Sequence, residues 1–175
     1  MKLLMIFALL IYSLCAQAEP KVHEPSLTSQ NKASLIQILG EALSSKTISQ
    51  KQYDQSIYWV NASPCDGVER QLTSKKKAEL QLAIAKEQKR EVVKVYDSFK
   101  YAGWVILFTN ASEGDEPYMF YSKDPLKGGH PIGLWSGTAT IFETNEVLQW
   151  VKEKIPSVPA HLAECFAWHV TLSPK

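Results

Sequence analysis

Hydrophobic positions along the chain change period several times, and each change marks an element. Leu35, Ile38, Leu39, Ala42 and Leu43 recur at helical spacing and predict a helix over 32–45. Thr47 or Ser49 is placed to cap a second helix carrying Tyr53, Ile57, Tyr58 and Val60, and the two read as a helical hairpin. Ser63-Pro64-Cys65-Asp66-Gly67 is turn chemistry and puts Cys65 in a loop. Ser74 is the expected cap of a third helix to about Arg90, with Leu80, Ala83 and Ile84 as its buried stripe.

From Val93 the period becomes two. Val93, Val95, Phe99 and Tyr101 alternate with polar neighbours, and Ala102-Gly103 allows a turn into the apolar run 104–109. Asn110 to Pro117 reads as a polar loop, Tyr118 to Tyr121 as an aromatic strand, and Lys123 to Gly133 as the longest irregular segment of the domain. Leu134 to Phe142 is expected to be a strand. Thr144 or Asn145 would start a helix ended by Pro156, and 159–164 a short one. Phe166, Trp168, Val170 and Leu172 alternate with Ala167, His169 and Thr171, so the chain is expected to close on a strand. The order predicts an α+β fold: N-terminal helices, a four- to five-stranded mainly antiparallel sheet, a C-terminal helix and a returning terminal strand.

Ahead of this pattern lies a different one. Lys2 precedes an apolar run, Leu3 to Leu14, and Ala16-Gln17-Ala18 places small residues where a signal peptidase cuts. Residues 1–18 therefore read as a cleaved secretory signal, too short in its apolar part for a stable membrane anchor. Leu14 before Cys15 argues against lipidation, which needs a small residue there. Residues 19–30, polar and carrying Pro20 and Pro25, read as a flexible lead-in, and 31–175 as one domain. The expected location is the periplasm or the cell exterior. Cleavage would remove Lys2 and Cys15, leaving 18 basic and 18 acidic residues and no field to attract nucleic acid. It would also leave two cysteines, Cys65 and Cys165, whose oxidation would close a loop of about 100 residues, worth roughly 4–5 kcal/mol in the chain-entropy model.

Candidate chemistry is sparse. A cysteine nucleophile at Cys65 would need an imidazole from His161 or His169, and a bond to Cys165 would consume it. His161 and Cys165 are four apart but belong to no ligand cluster, so neither a metal nor any other cofactor is expected. His130 sits in Gly128-Gly129-His130-Pro131, which lacks the lysine-serine ending of a phosphate loop. Glu113, Asp115 and Glu116 lack calcium-loop spacing. Tyr118 and Tyr121 place rings on both faces of their strand and are, with His130, the binding candidates. The leading expectation is a non-catalytic binder of another envelope or secreted protein: an inhibitor, an immunity-type protein or an accessory protein. A small envelope hydrolase or transferase using His169 with His130 or Cys65 is the alternative, and a structural or assembly subunit a third.

Overall fold

The structure, a computed structural model, describes residues 27–110 and 116–172. The signal-like segment 1–18, most of the lead-in and the acids Glu113 and Asp115 lie outside the described residues. The first helix begins earlier than the sequence pattern predicts. Leu27 is already buried, and Thr28 accepts from the Asn31 backbone N–H to cap α1 (Ser29–Ser44). A capping box between Ser49 and Gln52 starts α2 (Gln50–Asn61), and the two helices form the expected hairpin. Thr73, not Ser74, caps α3 (Ser74–Glu87).

Four antiparallel strands follow as a meander in sequence order: β1 (Val95–Tyr101), β2 (Trp104–Thr109), β3 (Tyr118–Tyr121) and β4 (Pro131–Trp135). Ala102 and Gly103, both at positive φ, make the tight β1–β2 turn. The segment 123–133 is less irregular than its glycines suggested. A 3-10 turn at Pro125–Lys127 is capped by Asp124, and β4 begins at Pro131. Conversely, the strand expected over 134–142 stops at Trp135. Another short 3-10 turn, Ile141–Glu143, leads into α4 (Thr144–Lys154), with the Thr140 N–H and hydroxyl donating to Glu143. Those two bonds hold the Glu143 carboxyl below its ordinary pKa.

The largest correction concerns the C-terminus. The expected returning strand is a helix, α5 (Ala160–Leu172), and the expected short helix at 159–164 is only its first turns. Leu162, Ala163, Cys165, Phe166, Ala167, Trp168, Val170 and Leu172 are all buried, so almost the whole circumference is covered. A helix that is apolar all round shows no clear 3.6-residue stripe, and an accidental alternation of large and small residues then imitates a strand. Phe166 and Trp168, which a strand would place on one face, go into different apolar clusters.

Layering follows from these clusters. One sheet face carries Val95, Val105, Leu107, Met119 and Tyr121 and is closed by Leu80 and Ile84 of α3. The other carries Phe99, Ile106, Tyr118 and Phe120 and is closed by α4 and α5. The α1–α2 hairpin covers the far side of α5, where Leu39, Trp59 and Val60 meet Trp168 and Leu172. Trp168 Nε1 donates to the Trp59 carbonyl at 3.1 Å.

Two glycines are opposite in their tolerance. A Cβ at buried Gly129 would stand 1.9 Å from the Lys123 carbonyl oxygen, which is backbone and cannot step aside. Gly40, inside α1, has nothing within 4 Å of such a Cβ. Gly129→Ala is predicted to lower unfolding stability by about 1–3 kcal/mol. Gly40→Ala is predicted to raise it by about 0.5–1 kcal/mol. Urea unfolding of the two variants checks both signs.

Candidate functional site

Cys65, in the loop after α2, and Cys165, one turn into α5, form a disulfide with their Cα atoms 4.6 Å apart. The bond ties the hairpin's exit to the central helix. It also uses the thiol on which a cysteine nucleophile at Cys65 would depend.

The described histidines are each held by a protein group. His130 is exposed, its side chain 79% accessible, and its Nδ1 lies 2.6 Å from the Glu87 carboxylate at the end of α3. His161, in the first turn of α5, donates from Nε2 to the Asp66 carbonyl at 2.7 Å and packs on the Tyr101 ring. His169, in the last turn of α5, sits edge-on to Phe99 with ring centroids 4.7 Å apart. Its Nδ1 is 3.4 Å from Arg70 Nη1, and its Nε2 is 3.7 Å from Asp97 Oδ2. Arginine can only donate, so Nδ1 accepts, and the neutral ring carries its proton on Nε2, facing Asp97. Arg70 pairs with Asp97 and lies over the Phe99 face, its guanidinium carbon 3.7 Å from the ring centre.

A strand irregularity builds this cluster. The β1–β2 register shifts between Val95 and Asp97, with Val95 opposite Thr109 and Asp97 opposite Phe108. The extra residue, Tyr96, turns Asp97 to the α5 side while Val95 stays on the α3 side. The sheet thus separates the two histidines of the enzyme reading: His130 meets α3, and His169 belongs to α5. The arrangement gives His169 a carboxylate and a guanidinium as neighbours, with neither His130 nor a free thiol. Among the described residues, no group of three or more His, Cys, Asp or Glu side chains could hold a metal ion.

The binding candidates Tyr118 and Tyr121 are corrected by burial. Tyr121 has no exposed surface and Tyr118 only 9%. Tyr121 packs under α3, and Tyr118 stacks on Phe108 at 4.6 Å beneath Phe166 of α5. Rings on both faces of the strand suggested that some reach solvent. Instead, helices cover both faces, and both rings are core.

The most exposed aromatic ring among the described residues is Tyr58. The buried side of α2 is set by Ser56, Trp59 and Val60, and at 100° per residue Tyr58 points directly away from Ser56. It is 65% exposed. Two shallow hollows flank it. One, about 300 Å³, is lined by Asp54, Gln55, Trp59 and Asn145; the other, about 420 Å³, by Ile57, Asn61, Pro64 and Glu164 among others. The floor is fixed: Tyr58 stands T-shaped to Trp59 at 5.2 Å, and Trp59 Nε1 donates to Asn145 Oδ1 at 3.0 Å. Sequence reasoning counted Tyr58 among the apolar positions of α2 and missed its direction. The i, i+3, i+4 set of Ser56, Trp59 and Val60 was the available signal, hidden because a serine is one of its members.

Comparison with protein-family models, curated proteins and solved structures found no match.

Burial, and secondarily the Glu87 charge, push the Tyr121 phenol above its ordinary value of about 10. The folded state therefore keeps this proton after the unfolded chain has begun to lose it. That contribution is intact below about pH 10 and is lost as pH rises further. Tyr121→Phe gives up only a weak contact to the Met119 sulfur. Urea midpoints of the two proteins should be similar near about pH 8, and the wild type should fall further by about pH 11.

Proposed function

We propose that this protein is exported and acts in the cell envelope or outside the cell as a non-catalytic binding protein of the inhibitor, immunity or accessory type. In this reading the outer face of α2 recognises another protein. The observation that carries it is Tyr58: a large ring on a rigid helix, exposed between two hollows, is the kind of anchor on which interface energy concentrates. The hollow walls carry the acids Asp54 and Glu164 and the amides of Gln55, Asn61 and Asn145, with no cation among the lining residues. A complementary partner presents an apolar residue beside Lys or Arg. Export is supported by the signal-like residues 1–18 and is consistent with the Cys65–Cys165 bond.

Binding is favoured over hydrolysis or group transfer because the side chains expected to do chemistry have internal partners. Cys65 is bonded to Cys165, and both nitrogens of His169 face Arg70 and Asp97.

The test is capture of partners from an envelope extract by the purified protein. Tyr58→Ala should weaken capture by about 30-fold, the equivalent of a 2 kcal/mol anchor, without lowering the melting temperature. His130→Ala and wild type should capture alike. Capture undiminished in Tyr58→Ala would contradict the reading.

A further inference from the structure

The sheet has two edges, and they are treated differently. Outside β1, Glu69 exchanges two backbone hydrogen bonds with Lys100, both at 2.9 Å, and Asp97 and Lys100 add charge to that strand. β4, at the other edge, pairs only with β3 among the described residues. From Pro131 to Phe142 the chain carries no ionisable side chain, so the usual edge protection by lysine or another charge is missing. Ile132 and Leu134 are 48% and 52% exposed and alternate with Gly133, whose Cα side faces Ile155 just beyond α4.

We propose that β4 pairs antiparallel with β4 of a second copy of this chain, joining two four-stranded sheets across a twofold axis. The occupant follows from self-complementarity. Centring the axis on Gly133 sets Ile132 against the partner's Leu134, and Leu134 against the partner's Ile132, giving two apolar cross-strand pairs. An uncharged strand meets its own copy without like-charge repulsion, a condition β1 with Asp97 and Lys100 does not meet as simply. The balance of 18 basic and 18 acidic residues after residue 18 adds no net repulsion between copies. Pro131 has no N–H and shortens the ladder, so the contact lies below the standard interface size. Association is therefore of the weak, transient kind. This surface is separate from Tyr58 and does not depend on the partner proposed for it.

Sedimentation equilibrium of the exported protein from about 5 µM to about 1 mM tests this, paired with hydrogen exchange of the β4 amides. Wild type should shift from monomer to dimer as concentration rises, with exchange at 132–135 slowing in parallel. Leu134→Lys, which sets ammonium groups beside the axis, should remain monomeric, and the milder Leu134→Thr should dimerise more weakly while keeping the fold. Tyr58→Ala should dimerise like wild type. A wild type monomeric throughout would overturn the proposal, as would Leu134→Lys dimerising unchanged. Protection, in a monomer, of the β4 amides that point away from β3 would also overturn it and would assign the edge to another segment of the chain.

Discussion

A helix with almost no solvent face has to be enclosed, and α5 imposes that demand on the rest of this fold. Its sheet side, with Leu162, Phe166 and Val170, is met by the α5-facing rings of β1 and β3. Its opposite side, with Trp168 and Leu172, would be bare without the α1–α2 hairpin. α4 packs alongside it. A sheet with one helix-covered face is the ordinary α+β solution. Here the covering helix is itself covered, and the hairpin exists as a second coat. The Cys65–Cys165 bond fastens that coat to the helix, closing a span of 100 residues between the hairpin's exit and α5. In an oxidising compartment, a bond over such a span removes much of the unfolded chain's freedom.

The same enclosure explains the fate of the polar groups. His169 lies within α5 against the sheet, so its ring nitrogens need partners, and they face Arg70 from the loop before α3 and Asp97 from the β1 irregularity. The cluster links a loop, a strand and a helix around the Phe99 ring. It is a polar insert in an aromatic layer that crosses all four strands in register from Asp97 through Phe108 and Tyr118 to Trp135. At the solvent end of that layer, the Tyr96 hydroxyl donates to Glu116, and that bond leads the causes that raise its phenol pKa.

Much of this architecture was legible in the residues. The hairpin and α3 declared themselves because each buries one face, and one-sided burial writes a period into the sequence; the meander, covered on both faces, was legible from the turn residues between its apolar runs. The disulfide was legible because only two cysteines follow residue 18. What failed has the same physical root. The segment 160–172 is buried on both sides, so its period vanished and the Phe-Ala-Trp-His alternation filled the gap. Tyr118 and Tyr121 looked available because strand alternation shows that rings occupy both faces, not what covers each face. The partners of His169 were unreadable for another reason. Arg70 and Asp97 are brought to it by a loop path and by one extra residue in β1, and neither leaves a local pattern. Tyr58 was hidden by the small polar Ser56 occupying a core position.

Everything in this fold turns on α5 being a helix enclosed between the sheet and the α1–α2 hairpin, with α4 alongside. Native-state hydrogen exchange of the oxidised protein measures this directly. The amides of Ala163 to Val170 should be among the slowest in the molecule, opening only with global unfolding, together with those of β2. They should be slower than any in α1, whose described core contribution centres on Leu39. Exchange of those α5 amides ahead of the α1–α2 hairpin, or a strand signature in their backbone chemical shifts, would contradict it.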